Sequence, residues 1–315
     1  MLRPHLVIGA RGYAGRQAVI ALGEHVRVRA AEPGDDLLAA MDGVEVVHLA
    51  LAVRSPFDRP TRARGPHPLL VQVFGLARRA GVRRIVHLSS ASACGASRDG
   101  RVSERTTPRP EQAHERLLAL DEAWLRGQGE PEAVVLRPAQ AFGPGEPVTS
   151  RLVRALVAGR LALPGGGTAR RTFLAGADLG RAFAAAGLRG EPGAAYLAGG
   201  FEGSWRELLT AAAAALSIRP RLGRRSYDVA YLAAALGLPR SRAARECWPT
   251  PALVDLLARP QVVDDGWSRR ELTWRPEVLG FGDGLAGLAD WYRAAAAGEP
   301  PVVTPGAGIS GEAPT

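Results

Sequence analysis

The chain has 315 residues, 46% of them hydrophobic and 6% aromatic, which is enough to bury a sizeable core. Its formal net charge is +9, but the 40 basic residues are all arginines, scattered along the sequence. They lack the clustering and interleaved aromatic residues typical of nucleic-acid binding, and the absence of lysine excludes any mechanism that needs a lysine side chain.

Strands and helices alternate over the first part of the sequence. A short apolar strand at 5–9 is followed by a helical pattern at 14–24. Further strands are predicted at 25–30, 44–53, 82–91 and 132–139, with helices at 69–81 and 109–129. This alternation predicts βαβ units and a parallel, doubly wound sheet, which makes the fold class α/β.

The pattern loosens after about residue 143, where breaks such as "PGGG" and "LGLPRS" separate helices. We therefore predict a nucleotide-binding domain over 1–142, a smaller cap over 143–300, and a disordered Pro/Gly-rich tail over 301–315. Parts of 172–200 and 258–265 are expected to return to the first domain.

A glycine turn follows the first strand. Gly9, Gly12 and Gly15 form a G-x-x-G-x-x-G pattern between strand and helix. Glycines at these positions permit a tight turn and let the backbone approach a pyrophosphate, which then lies at the positive end of the helix. Its position at the start of a βαβ pattern predicts a dinucleotide site.

The second strand and the glycine turn carry arginines that bear on the choice of dinucleotide. An acidic residue at the end of the second strand is typical of NAD, whereas a nearby arginine suits the 2′-phosphate of NADP. Arg29 lies in that strand and Arg11 in the glycine turn, which favours NADPH. Glu32, slightly out of register, is the alternative and would favour NAD.

Six segments in order carry a family resemblance: "GARGYAG", "EVVHLALAV", "AGVRRIVHLSSASACG", "LRPAQAFGPG", "RRTFLAGADLGRAF" and "DDGWSRRELTWRPEV". Over nearly its whole length the chain resembles the extended short-chain dehydrogenases/reductases, of the NAD-dependent epimerase/dehydratase type. The resemblance implies a doubly wound parallel Rossmann sheet with a smaller C-terminal substrate-binding cap. It implies cofactor contacts from Gly9, Arg11, Gly12, Tyr13, Ala14, Gly15, Arg29, Leu49, Ala50, Leu51, Leu88, Ser89, Pro138, Ala139 and Gln140.

The chain departs from the family where the catalytic residues should lie. The family pattern has a proline, then a tyrosine four residues later and a lysine four residues after that. Here Pro110 is followed by His114 and Leu118, with Glu104 and Glu122 in flanking acidic positions. The family's tyrosine donates a proton while its lysine lowers the tyrosine pKa, so this chain must work differently or has lost the reaction.

Three hypotheses follow. In the first, His114 is the proton donor, since its ordinary pKa suits that role. In the second, a phenol or enol of the substrate supplies the proton and the protein only positions the substrate. In the third, the protein is a non-catalytic NADP(H)-binding regulator. Ser90, in the family's serine position, and Ser92 are predicted to hydrogen-bond the substrate oxygen, and Phe142 to contact the substrate. Further residues predicted to line the pocket are Arg171, the loop 54–57 and the helical stretch 227–238.

The substrate class is predicted from composition and the missing pair together. Lysine and asparagine, whose codons are A-rich, are both absent, which indicates a GC-rich genome. With the replaced Tyr/Lys pair, the chain resembles atypical ketoreductases of actinomycete aromatic-polyketide antibiotic pathways. We therefore predict an NADPH-dependent ketoreductase for a bulky aromatic polyketide; a sugar-nucleotide epimerase or dehydratase is the alternative enzyme.

Location and metal content are predicted from what the sequence lacks. No apolar run reaches the roughly 18 uncharged residues of a membrane span, and the N-terminus lacks the features of a signal peptide. Cys94 and Cys247 are too few for a disulfide scaffold or a metal cluster. We expect a cytoplasmic protein with a small-molecule substrate, no metal, and neither membrane nor nucleic acid as a partner.

Overall fold

A six-stranded parallel sheet forms the centre of the fold. The structure, a computed structural model, describes residues 3–50, 65–95, 97, 99–159, 161–236 and 250–297. Its strands are β1 (His5–Ile8), β2 (Val28–Ala31), β3 (Val46–Leu49), β4 (Arg84–Leu88), β5 (Arg101–Ser103), β6 (Glu132–Pro138), β7 (Gln140–Phe142), β8 (Ala162–Pro164), β9 (Arg171–Ala175), β10 (Ala195–Ala198), β11 (Phe201–Gly203), β12 (Gly223–Arg225) and β13 (Val262–Asp264). The predicted tail at 301–315 lies outside the described residues.

The helices surround this sheet and build the cap. They are α1 (Tyr13–Gly23), α2 (Leu37–Ala40), α3 (Pro68–Arg79), α4 (Ala113–Arg126), α5 (Pro147–Val157), α6 (Gly176–Arg189), α7 (Trp205–Ala215), α8 (Tyr227–Ala235), α9 (Pro251–Ala258), α10 (Gly266–Glu271), α11 (Phe281–Gly284) and α12 (Leu288–Ala297), with a 3₁₀ turn at Ala91–Cys94. Among the residues that the structure describes, no helix combines the length and the hydrophobicity that a membrane crossing requires.

The strands of the large sheet run in the order β2-β1-β3-β4-β6-β10, all parallel. Alternate residues of β1 enter different cores: Val7 packs with α1 and α6, and Leu6 and Ile8 with α2 and α3. Because helices cover both faces, the inner strands β1 and β3 are almost wholly apolar and fully buried. The predicted doubly wound parallel sheet is confirmed.

The strand order reverses between β1 and β3. In open parallel sheets a ligand binds outside the carboxyl ends of the strands at such a reversal. The common dinucleotide-binding order has one more strand outside β2. Here residues 32–45 form only turns and the one-turn helix α2, so among the described strands β2 is the outermost on this side of the sheet.

Helix α6 lies directly against α1, the helix that follows the glycine turn. A Cβ atom at Gly180 would lie 2.3 Å from the Gln17 carbonyl oxygen, and one at Gly176 would lie 2.4 Å from the Tyr13 hydroxyl. Any larger residue would separate the two helices. The glycines of "AGADLG" therefore hold α1, and with it the glycine turn, against the sheet.

The cap has its own core. Strands β11-β9-β7 form a three-stranded sheet that packs with α5, α7, α9 and α12. The first domain and the later region remain interwoven, because β10 completes the large sheet and β13 pairs with β5. Sequence distance is therefore a poor guide to which domain a segment joins.

The residue that caps the start of α5 is a buried glutamate. Glu146 is 6% exposed, and its Oε2 atom accepts the Thr149 backbone N–H at 2.6 Å. Burial raises the pKa of Glu146 to about 7, because removing the carboxylate from water disfavours its charged form.

We expect Glu146 to make stability depend on pH. The folded protein holds this proton to a higher pH than the unfolded chain, so stability falls as the pH rises from the ordinary carboxyl pKa to about 7. Glu146→Gln keeps an acceptor for Thr149 and should remove this pH-dependent loss of stability. In the native protein the loss should reach up to about 3 kcal/mol at a pH above 7. Urea unfolding of both proteins from pH 5 to 8 measures it, with exposed Glu24→Gln as control. Equal pH slopes would contradict the prediction.

Candidate active site

The glycine turn has the geometry of a pyrophosphate cradle. Gly9 has φ +83°, which favours glycine, and its carbonyl accepts the Gly12 N–H at 3.0 Å. A Cβ atom at Gly15 would lie 2.1 Å from the same oxygen. The first N–H groups of α1 lack intrahelical acceptors and lie at the carboxyl edge of β1. Gly9, Gly12, Tyr13, Ala14 and Gly15 therefore fit a dinucleotide.

The two candidate determinants of nucleotide choice have different surroundings. Glu32 follows β2 directly, and its Oε1 atom accepts the Arg11 backbone N–H at 2.7 Å. The Nη1 atom of Arg29 donates to the carbonyl oxygens of Asp42, at 2.5 Å, and Ala40, at 3.3 Å. Arg29, predicted to face a 2′-phosphate, is thus bound to the end of α2, while the carboxylate stands beside the glycine turn.

The other predicted cofactor residues lie at the carboxyl edge of the large sheet. Leu49 ends β3 and Ala50 follows it, Leu88 ends β4 and Ser89 follows it, and Pro138 ends β6, with Ala139 between it and Gln140, the first residue of β7. Because neighbouring strands are parallel, these ends meet beside the glycine turn. Leu51, predicted with them, lies outside the described residues.

Ser89, Glu122 and Arg137 form a buried network beneath this edge. The Ser89 hydroxyl donates to Glu122 Oε1 at 2.5 Å, and Arg137 Nε donates to both Glu122 oxygens at 3.0 and 3.1 Å. All three side chains are buried. The network joins β4, α4 and β6, so Ser89 is directed inward through its hydroxyl group.

Two of the predicted catalytic-site residues, Ser92 and His114, line one cleft between the large sheet and the cap. Ser90 lies beside it, and its Oγ atom accepts the Ser92 N–H at 3.1 Å. Leu118, one helical turn beyond His114, is 5% exposed and packs in the interior. The remaining lining residues are Gly95, Glu115, Arg171, Ala252, Asp255, Leu256, Arg259, Pro260 and Gln261.

Phe142 does not reach the cleft. Its side chain is fully buried, and its ring packs edge to face against Phe173, Phe201 and Phe281. Phe142 was predicted to contact the substrate, but the structure places it in the core of the cap. Its carbonyl oxygen accepts the Tyr13 hydroxyl at 2.7 Å, which connects the glycine turn to β7.

Arg171 brings a buried positive charge to the cleft. The side chain is 4% exposed, and burial lowers its pKa to about 10. Its Nη1 atom donates to the Arg259 carbonyl and its Nη2 atom to Gln261 Oε1, both at 2.9 Å. Among the described residues, Arg171 forms no direct ion pair and its Nε atom has no acceptor, although the Glu115 carboxylate of the same cleft attracts it. An anionic group would satisfy this site.

The first turn of α4 differs from the predicted helix start. The pattern predicted a helix from 109, but α4 begins at Ala113 because the Glu115 carboxylate accepts the N–H groups of Glu111, at 2.8 Å, and Gln112, at 2.9 Å. Sequence reasoning also missed Asp255, Arg259 and Gln261. They carry no motif and follow His114 by more than 140 residues, so only the fold brings them into the cleft.

The fold and this edge define a dinucleotide-binding α/β protein of the extended type. A model of the NAD dependent epimerase/dehydratase family matches residues 34–199, more than half of the chain, and the protein belongs to this family. The match begins after the glycine turn, whose geometry is that of a dinucleotide site. No curated protein matches the sequence significantly.

Several solved structures share the fold at low sequence identity. The dTDP-glucose 4,6-dehydratase of Streptomyces venezuelae, solved with NAD, is 21% identical with a TM-score of 0.71, over 95% of this chain and 99% of that one. The UDP-glucuronic acid 4-epimerase of Bacillus cereus, also with NAD, is 16% identical with a TM-score of 0.71, over 93% and 99%. A nucleoside-diphosphate-sugar epimerase of Pseudomonas aeruginosa is 21% identical with a TM-score of 0.72, over 94% and 99%.

Proposed function

We propose that this protein is a cytoplasmic, nicotinamide-dependent ketoreductase that works without a Tyr/Lys pair. The observation that carries the proposal is the cleft itself: Ser92 and His114 line it beside the dinucleotide edge, and Leu118 is buried where the family has its lysine. The bound nicotinamide would supply or accept hydride. A protein that only sensed the nucleotide would have no need of a polar cleft beside that edge.

Ser90 has the hydrogen-bonding capacity that the reaction needs. Its oxygen accepts the Ser92 N–H, so its own hydrogen is directed elsewhere and can be donated. We propose that it donates to the carbonyl oxygen of the substrate, where negative charge develops as hydride reaches the carbon. Hydrogen-bond donors placed at such an oxygen stabilise the transition state.

The substrate that we propose is a bulky aromatic polyketide ketone. A phenol or enol beside the ketone already donates a hydrogen bond to its oxygen, so the substrate itself would supply the proton. The protein would then contribute positioning, which can be worth about 7–11 kcal/mol in oriented reactions. Arg171 would stabilise an ionised phenol or enol at the cleft.

His114→Ala tests the origin of the proton. With a substrate donor, kcat should fall by less than about tenfold, whereas loss of a general acid costs about 10²–10⁴. Steady-state kinetics over a range of pH measures this. His25→Ala, at an exposed position, is the matched control. A loss of a hundredfold or more confined to His114→Ala would make the histidine the donor.

A second candidate, sugar-nucleotide epimerisation or dehydration, is favoured by Arg171. A buried guanidinium that forms no direct ion pair with any carboxylate among the described residues suits a diphosphate as well as a phenolate. Two incubations distinguish the ketoreductase from the sugar-nucleotide enzyme. One combines the protein and reduced cofactor with hydroxylated polycyclic ketones, and the other combines the protein and oxidised cofactor with UDP- and dTDP-sugars. Oxidation of the cofactor by a ketone supports our proposal. Tight dinucleotide binding without turnover of any substrate would indicate a regulator.

For the cofactor we propose NAD(H), in place of the NADPH that the arginines predicted. A carboxylate at the end of β2 suits the ribose hydroxyls and repels a 2′-phosphate, and Arg29 is bound to backbone carbonyls instead. This choice rests on Glu32.

Glu32→Gln should weaken NADH binding by about tenfold or more, because a charged hydrogen bond is worth about 1.5–3 kcal/mol. The difference in affinity between NADH and NADPH should therefore become smaller. Titrating both reduced cofactors by their fluorescence measures the ratio. Arg29→Ala is the control and should leave NADPH binding nearly unchanged. A selective loss of NADPH affinity in Arg29→Ala would restore the original assignment.

A further inference from the structure

A polar network joins two cap helices to the first turn of α4. The Asp255 carboxylate on α9 lies at its centre: Oδ1 accepts the Tyr227 hydroxyl at 2.6 Å and Arg259 Nε at 3.1 Å. Its Oδ2 atom accepts the side-chain amide of Gln112 at 2.5 Å. One carboxylate thus connects α8, α9 and α4.

Arg259 makes the second connection. Its Nη1 atom contacts the Glu111 carboxylate at 2.6 Å, and its Nη2 atom donates to the Tyr227 hydroxyl oxygen at 3.1 Å. We call these five residues, Glu111, Gln112, Tyr227, Asp255 and Arg259, the clamp. The clamp spans the cleft between the cap and the domain that carries the dinucleotide site.

Burial makes the central carboxylate depend on these contacts. Asp255 is 6% exposed, and a carboxylate removed from water must be balanced by charged or polar donors. Tyr227, Arg259 and Gln112 supply those donors. Moving α4 away from the cap would therefore leave a buried carboxylate short of one partner, which favours the closed geometry.

The clamp holds the same helical turn that carries His114. Glu111 and Gln112 immediately precede α4, and their backbone N–H groups bind the Glu115 carboxylate. The turn is thus fixed from inside by Glu115 and from the cap by Asp255 and Arg259. His114, Glu115, Asp255 and Arg259 all line the cleft.

We propose that Asp255 is a positioning residue for this site. By holding Gln112 and Arg259 it sets the separation of the cap from α4, and hence where His114 and Ser92 stand around a bound substrate. The proposal rests on the proposed function only in taking the cleft as the substrate site. The position of the turn itself is a property of the fold.

Asp255→Asn is the main test. It keeps an acceptor for Tyr227 and Arg259 but removes the negative charge that balances Arg259, and the Gln112 amide must rotate to pair with the new N–H. Amide hydrogen exchange across residues 111–116 should rise about tenfold, the effect of losing a charged hydrogen bond. With a ketone that is turned over, kcat should fall about tenfold or more while the NADH dissociation constant stays within about twofold.

A second substitution that restores the contact distinguishes a positioning role of Asp255 from a general loss of stability. Combining Asp255→Asn with Gln112→Glu exchanges donor and acceptor, so exchange protection and kcat should both recover. Asp290→Asn makes the same substitution in the cap at an exposed residue of α12 and should change neither. If Asp255→Asn fails to fold, Glu111→Gln removes only the half-exposed contact with Arg259 and should loosen the same turn.

The exchange measurement decides the proposal even without a substrate. Unchanged exchange at 111–116 in both Asp255→Asn and Glu111→Gln would overturn it, as would a kcat equal to that of the native protein. If no compound is turned over by the native protein, the proposed function fails, and exchange together with the His114 imidazole NMR signal still tests the clamp.

Discussion

Glu122→Gln should destabilise the protein by about 3–5 kcal/mol, since removing one partner of a buried ion pair leaves the other charge uncompensated. Glu122 is 2% exposed and Arg137 5% exposed, and the Arg137 guanidinium binds both carboxylate oxygens. The neutral amide accepts hydrogen bonds but no longer balances the cation. The Ser89 hydroxyl would lose its carboxylate partner in the same step.

Urea unfolding of native and variant proteins measures this effect. Glu24→Gln, an identical change at an exposed site, should shift the free energy of unfolding by little. Replacing both partners, Glu122→Leu with Arg137→Met, should recover much of the loss because apolar pairs often match buried ion pairs in stability. A destabilisation below about 1 kcal/mol would mean that the pair is solvated or dispensable.

Gly15→Ala should weaken dinucleotide binding by about a hundredfold. The added Cβ atom would lie 2.1 Å from the Gly9 carbonyl oxygen and 2.8 Å from the Ala10 Cα atom. Both contacts are with backbone, so no side-chain rotation relieves them and either the turn or α1 must move. A shift of about 1 Å in the cradle removes the N–H groups from the pyrophosphate, and a hundredfold loss of affinity is the order expected.

Gly23→Ala in the same helix is the matched control. Nothing lies within 4 Å of a Cβ atom there, so this change should leave binding intact and stabilise α1 by up to about 1 kcal/mol. Isothermal titration with NADH and NADPH compares the three proteins. Retained affinity in Gly15→Ala would show that the dinucleotide does not lie on this turn.

Much of the first domain was predictable because its signals are local. The apolar runs at 5–9 and 82–91 and the G-x-x-G-x-x-G turn depend on a few consecutive residues, and β1, β4 and the start of α1 follow them closely. Helix α4 was predicted by its periodicity, but its start was misplaced by four residues. The Glu115 carboxylate accepts the N–H groups of Glu111 and Gln112 just before the helix. This capping contact is local, but hydrophobic periodicity alone does not reveal it.

The site was less predictable because its contacts are long-range. Arg29 and Glu32 were both visible as candidates, but which one stands at the glycine turn depends on how β2 and α2 fold back on each other. Phe142 lies within "LRPAQAFGPG", one of the segments that carry the family resemblance, and was therefore predicted to contact the substrate. The packing of three other phenylalanines against it removes it from the cleft.

The sequence by itself determined the α/β class, the glycine turn, the absence of lysine and the presence of His114 and Leu118 at the family's catalytic positions, because these are matters of identity and local spacing. Only the tertiary structure decided the reversal between β1 and β3, the buried Arg171 and the clamp around Asp255. Those features depend on contacts between distant parts of the chain, such as His5 with Val46 and Gln112 with Asp255. Side-chain packing and the paired burial of charge, which no local pattern records, select which residues meet.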